Sequence, residues 1–200
     1  MLHMDASFSR RAFIKGLVRV VAAAPLLAVA QSSLAKVAST QDLAEMKNAK
    51  TLAFEHTHTG EKLSITYAVG DDYVPDSLKT VNRFLRDHYT GRVGRMDPEL
   101  LDLLYELKRE CSVDEPFQVI SGYRCPATNR KLRRRSRGVA RKSLHMEGRA
   151  IDIRLPDTKL AELRDAARDL GRGGVGFYPS RGFVHVDTGD VRFWQGGKAV

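Results

Sequence analysis

The sequence predicts an α+β domain, a small mixed or antiparallel sheet with flanking helices. Three observations predict it. A hairpin pattern opens the folded part, strand and helix periods then interleave, and the spacers between them are short. The hairpin and the short spacers disfavour a doubly wound sheet.

The elements follow in chain order. "TLAFEHTHTGEKLSITYAV" reads as two strands around the turn signal Thr59-Gly60-Glu61. His56 and His58 share a face if the first strand continues. With no third ligand near in sequence, they read as a surface pair. "PDSLKTVNRFLRDHY" places Leu78, Val81, Phe84 and Leu85 at helical period, with His88 on the helix surface. Asp97-Pro98 supplies an N-cap and a proline at the first helical position. The helix "PELLDLLYELKREC" follows, its Leu100, Leu103, Leu104 and Leu107 on one core-facing stripe. "FQVIS" is a short apolar strand, and "GYRCPATN" turns into a basic helix. "RAIDIRL" alternates as a strand, "TKLAELRDAARDL" is a helix, and "GRGGVGFY" is a glycine-rich stretch. That stretch lacks the G-K-S/T ending of a phosphate loop, so nucleotide binding is disfavoured. "FVHVDTG" alternates again, with His185 and Asp187 on one face and Val184 and Val186 on the other.

The first 35 residues read as an address. Arg10, Arg11, Lys15 and Arg19 precede an apolar run from Val20 to Ala30, and small residues follow at Ala28/Ala30 and Ser33/Ala35. The run is about half the ~20 residues of a membrane span. Ser9-Arg10-Arg11-Ala12-Phe13-Ile14-Lys15 resembles the twin-arginine export motif. Residues 1–35 are therefore expected to be a cleaved signal, cut between Ala30 and Ala35. A linker over 36–49 and one domain over 50–200 follow. A bacterial periplasmic location, the twin-arginine translocase as export partner and no lasting membrane span are expected; retention as an uncleaved anchor is the lesser reading.

Beyond residue 35 the chain has 29 basic and 23 acidic residues, a net +6. Much of the excess sits in "NRKLRRRSRGVARK", residues 129–142, with eight basic residues and no acid. Such a stretch suits polyanions or is simply a solvated face. Export argues against nucleic acid and for peptidoglycan, whose stem peptides carry free carboxylates. Cys111 and Cys125 form a disulfide or remain two free thiols; an oxidising compartment permits the bridge. A monomer is the default expectation.

"SLHMEGRAID" and "FVHVDTG" carry the chemistry. His145, Asp152 and His185 supply two imidazoles and one carboxylate, the donor set of a catalytic zinc site that keeps a position for water. Asp152 and His185 lie on strands, His145 on the loop before the first of them. Taken singly, each is more ordinary: a surface His, a strand-end Asp, a satisfied core His.

Together they resemble a family. Ser143-x-His145-x-x-Gly148-x-Ala150-x-Asp152 matches the S-x-H-x-x-G-x-A-x-D motif of the D,D-carboxypeptidase and dipeptidase superfamily, which shares its zinc fold with the hedgehog signalling domain. Ser121-Gly122-Tyr123-Arg124 matches its S-G-Y-R. The nearer likeness is to the periplasmic murein endopeptidase K group, through "LAFEHTHTGE", "ISGYR", "RSRGVARKSLH", "GGVGFYP" and "FVHVDTG" to Arg192-Phe193-Trp194. The resemblance implies one Zn²⁺ per chain on His145, Asp152 and His185. It implies Arg124 as the group that holds the carbonyl oxygen and Ser143 as a substrate-positioning residue. It further implies hydrolysis of peptide cross-links in peptidoglycan by a metal-activated water. One departure stands out. Many relatives place a Glu or His shortly before the last ligand, whereas "YPSRGFVHVD" has neither, and Phe183 takes the first position of the H-x-H of some branches. Asp187 is the candidate base, or else a partner that orients a ligand imidazole; Glu147 is a weaker candidate. A non-catalytic zinc-containing wall-binding module is the alternative function, and a metal-free polyanion binder the third.

Overall fold

A computed structural model describes residues 42–43, 46–136 and 138–196. The expected signal over 1–35 and most of the linker over 36–49 lie outside the described residues. No helix among the described residues is long and apolar enough to cross a membrane.

The described residues form an eight-stranded mixed sheet with four α-helices, an α+β architecture. The strands are β1 (Ala49–His56), β2 (Lys62–Val69), β3 (Asp72–Tyr73), β4 (Phe117–Ser121), β5 (Ala150–Arg154), β6 (Gly174–Tyr178), β7 (Phe183–Asp187) and β8 (Arg192–Gln195). Their spatial order is β3-β2-β1-β4-β5-β7-β6-β8. Only β1/β4 and β6/β8 pair in parallel; the other neighbours are antiparallel. The helices are α1 (Pro75–Phe84), α2 (Pro98–Cys111), α3 (Pro126–Arg135) and α4 (Leu160–Asp169).

The expected hairpin forms, with β1 and β2 paired along their length. The α2 helix spans the residues its stripe predicts. The Asp97 carboxylate accepts from Glu99 N at 3.1 Å, and Pro98 follows it, so both start signals act. The α1 helix is shorter than its apolar period suggests. It ends at Phe84, where Asp87 captures backbone donors that a longer helix would need, from Tyr89 (2.9 Å) and Thr90 (3.2 Å), and also accepts from Cys125 N at 2.8 Å. His88 therefore sits in a turn, half-buried, and not on a helix surface.

The core lies on one face of the sheet. Leu52, Phe54, Phe117, Val119, Ile151, Ile153, Val184 and Val186 meet the leucines of α2, with Val81 and Phe84 of α1 and Leu163 of α4. Burying these side chains, each worth roughly 1.5–3 kcal/mol, fixes the strand register. The same period that aims Val184 and Val186 into the core aims His185 to the opposite face. His56 follows Leu52 and Phe54 onto the core side and is fully buried, so the expected surface pair with His58 does not form.

"GRGGVGFY" contains a strand, β6, and β8 adds a further edge strand that periodicity did not mark. Cys111 and Cys125 are both free thiols, so the possible bridge is not made. Cys125 is buried beside Thr128 and Thr90, while Cys111 packs at the end of α2 against the core.

Candidate active site

A row of residues crosses five strands on the face away from the core. Ser121 pairs with Asp152, Asp152 with His185, His185 with Gly176, and Gly176 with Trp194. Ser121 joins this row because β4 has a bulge between Val119 and Ser121. Without it, alternation would send Ser121 to the same side as Phe117 and Val119.

His145 arrives from outside the sheet, on a short 3-10 turn, Leu144–Glu147. The turn ends at Gly148 with φ +71°, and a Cβ there would lie 1.9 Å from the Arg95 carbonyl oxygen. Only glycine fits that backbone and that approach, and Gly148 O then accepts from Asp97 N at 2.9 Å. The glycine of S-G-Y-R has a similar reason. A Cβ on Gly122 would lie 2.7 Å from the Leu85 oxygen, where the chain docks on the end of α1.

The three predicted ligands converge. Their candidate donor atoms lie within 4.8 Å of one another. Asp152 Oδ1 is 3.2 Å from His145 Nε2 and 2.8 Å from His185 Nδ1, and the two nitrogens are 3.2 Å apart. The other ring nitrogens fix the tautomers. His145 Nδ1 donates to Gly122 O at 2.8 Å, since a carbonyl can only accept. His185 Nε2 donates to Asp187 Oδ2 at 2.9 Å. With His145 Nδ1 and His185 Nε2 bonded outward, His145 Nε2, His185 Nδ1 and Asp152 Oδ1 face one point. Such a donor set fits a cation, and its chemistry suits zinc.

The electrostatics follow the packing. Burial raises the pKa of Asp152, but His145 and His185 outweigh it and hold the carboxyl well below its usual range. Burial depresses His145. Burial also works against charge on His185, yet its bonds to Asp152 and Asp187 win and raise it. Burial opposes ionisation of Asp187 as well, but His185, Arg192 and the Gly189 N–H bring it to about 2.

Asp187 is completely buried behind His185. Its Oδ1 accepts from Gly174 N (3.1 Å), Gly189 N (2.9 Å) and Arg192 (3.0 Å), and its Oδ2 from His185 and Arg192 (2.7 Å). It faces the imidazole nitrogen turned away from the cluster, and its lone pairs are taken. That geometry suits the orienting role and not the base. Glu147 is exposed and paired with Arg149. Arg124 is largely buried next to the cluster, 3.6 Å from Asp152 Oδ2. It donates to Ser121 Oγ at 3.3 Å, and its own N–H bonds His145 O at 3.0 Å. Ser143 is buried on the wall of the same pocket.

The pocket has a volume of about 280 Å³. Besides the cluster, Arg124 and Ser143, it is lined by Lys142, Tyr178, Arg181, Phe183 and Trp194. Of the basic helix α3 none of the arginines lines it; Lys142, at the end of the basic stretch, does. Tyr178, Arg192 and Trp194 carry no ligand pattern in the sequence. Their signal is in the glycines. A Cβ on Gly174 would fall 2.5 Å from the Arg192 guanidinium and 2.6 Å from Asp187 Oδ2, and one on Gly176 2.5 Å from the Trp194 indole. The glycine-rich stretch makes room for side chains, not phosphates.

The match to a family model places the chain among the M15 peptidases. It belongs to the family described as "Peptidoglycan L,D-endopeptidase MepK", whose model matches residues 44–194. It is 41% identical over 145 residues to the peptidoglycan L,D-endopeptidase MepK of Escherichia coli K12, covering 72% of this chain and 80% of that protein. It is 40% identical over 148 residues to the probable peptidoglycan L,D-endopeptidase MepK of Haemophilus influenzae, covering 74% and 80%. No solved structure matches it.

Proposed function

We propose that this chain is a periplasmic zinc peptidase, exported by the twin-arginine route, that hydrolyses an L,D peptide bond in peptidoglycan cross-links. The observation that carries the reading is the convergence of His145, Asp152 and His185 beside Arg124 in a chain of this family. The fold is then that of the D,D-peptidase and hedgehog-type zinc domains, with one zinc on those three residues. Zinc held there would supply Lewis-acid chemistry, polarising the scissile carbonyl and lowering the pKa of water toward ~7.

The chain's own residues do the rest. Arg124, largely buried beside the cluster, holds the carbonyl oxygen as charge develops. Ser143 positions the peptide. Asp187, pinned by Arg192, keeps the Nε2 proton on His185 and so leaves Nδ1 free as a ligand. Lys142 and Arg181 at the pocket mouth offer charge for stem-peptide carboxylates. The protein works as a monomer.

Among the described residues the pocket wall carries no glutamate and no histidine beyond the cluster, which favours one second reading, a zinc-containing wall-binding module without catalysis. One preparation separates the two. The chain from Lys36 onward is purified, its zinc counted, and muropeptide dimers with 3-3 or 3-4 cross-links are added. About one zinc per chain with chelator-sensitive cleavage of the dimer joined through an L-centre carbonyl establishes the peptidase. Zinc with tight binding and no cleavage establishes the module. No zinc overturns both.

A further inference from the structure

We propose that Tyr178 is a second hydrogen-bond donor to the reacting peptide, acting on the side of the His–Asp–His cluster away from Arg124. The inference rests on the peptidase reading above. Tyr178 closes β6, two residues beyond Gly176. Gly176 pairs with His185, and Tyr178 with Phe183. Residues two apart on a strand share a face, about 6.5–7 Å apart. Tyr178 thus stands on the ligand face, displaced along the strand from His185.

Its hydroxyl is brought back toward the cluster by Trp194. The indole lies over Gly176, where any side chain would collide with it. Its ring is 5.2 Å from that of His185, and its Nε1 donates to the Tyr178 hydroxyl at 2.9 Å. An indole N–H can only donate, so the phenol oxygen is the acceptor there. The phenol's own proton is left to point elsewhere, and among the described residues it meets no protein acceptor. The ring itself cannot swing away. It stacks on Phe183 at 4.6 Å, and its other contacts include Gly196, where a Cβ would fall 2.0 Å from the Tyr178 ring. A clamped phenol with an unspent O–H thus lines the pocket that holds the three ligands.

The charge balance of the site gives this donor a task. The carboxylates at the cluster accept only. Arg192 is committed to Asp187 as a two-pronged pair. Arg124 sits toward β4, whereas Tyr178 sits toward β8, so the two flank the row Ser121–Asp152–His185–Gly176–Trp194. A peptide laid across that row meets a guanidinium on one side and a phenol on the other. The phenol keeps its proton throughout. It contributes a hydrogen bond that strengthens as the carbonyl carbon becomes tetrahedral and its oxygen gains charge.

The test compares Tyr178→Phe and Trp194→Phe with the wild-type chain, each loaded with zinc and assayed on the cleaved muropeptide dimer. Tyr178→Phe keeps the ring and removes the O–H. Its kcat is expected to fall about 10²-fold, the effect of losing one pre-aimed donor, with KM, zinc content and Tm unchanged. Trp194→Phe frees the phenol to rotate and gives a smaller loss of kcat. Wild-type kcat in Tyr178→Phe overturns the inference while leaving the peptidase reading intact. Loss of zinc or a lowered Tm in step with kcat also overturns it, in favour of a packing role. A zinc-loaded wild type that cleaves no dimer overturns both readings.

Discussion

Two groups of three polar side chains sit in this fold, and they differ in what surrounds them. His145, Asp152 and His185 meet on the face of the sheet away from the core, and every ring nitrogen there has a partner. His56, His58 and His88 meet beside the end of β1. His58 stacks on His88 with centroids 4.3 Å apart, and His56 stands edge-on to His88 at 5.5 Å. Among the described residues no carboxylate hydrogen-bonds to them; Asp87 reaches His88 and Glu61 reaches His56 by charge alone, and Glu61 is forked onto Arg86 with both contacts at 2.8 Å. His56 Nδ1 accepts from His58 N at 3.2 Å, and its Nε2 is buried without a partner. The difference teaches that histidines alone do not make a metal centre. In the first group two ring nitrogens and a carboxylate oxygen face one point, whereas in the second His56 Nδ1 is spent on a backbone N–H.

Replacing ligands in each group breaks the comparison most sharply. His145→Ala is expected to abolish bound zinc and cleavage, whereas His58→Ala and His88→Ala keep about one zinc per chain. Elemental analysis beside the muropeptide assay reads both. Equal zinc loss from the two groups would sink the distinction. Next in size is Arg124→Ala, for which kcat should fall by about 10²–10³ while zinc stays bound, because the guanidinium contacts Asp152 without being a ligand.

The orienting shell comes third. Asp187→Asn keeps the shape and removes the charge that holds the His185 tautomer. Zinc affinity, measured by competition with a chelating dye, should weaken about 10–100-fold. Unchanged affinity would mean that Arg192 and the backbone donors, not His185, are what Asp187 serves. The smallest effect lies in the other group. Burial first, then the fields of His88 and His58, lower the His56 pKa from 6.5 to about 4. The unfolded chain takes up a proton near pH 6.5 and the folded chain only near 4. Stability from neutral His56 is therefore full above 6.5 and is lost as pH falls toward 4. Between pH 7 and 4.5 the wild type should lose roughly 1–3 kcal/mol more than His56→Phe, as read by urea melts. Parallel curves would place His56 in solvent.

Regular elements were legible wherever one period ran without interruption. The stripe of α2 and the alternation of β5 and β7 gave those elements to within a residue or two, because burial on one face repeats at a fixed spacing. Elements ended by side-chain capture were not: Asp87 takes up the N–H groups of Tyr89 and Thr90, which a longer α1 would need. The strand β6 was hidden because its glycines are chosen for what lies across from them, Arg192 and Trp194, and so carry no hydrophobic alternation.

The sequence alone marked the three residues that the structure brings together. His145, Asp152 and His185 are named by a motif whose spacing is local, a 3-10 turn, a glycine that must turn left-handed, and a strand. It also determined Arg124, for the same reason. Tertiary structure decided what each ring nitrogen faces. That assignment makes Asp187 an orienting partner, buries His56 in the core and brings Tyr178 and Trp194 to the pocket. It depends on strand order and on the β4 bulge, and these arise from pairings between residues far apart in the chain. A period along one segment cannot contain them.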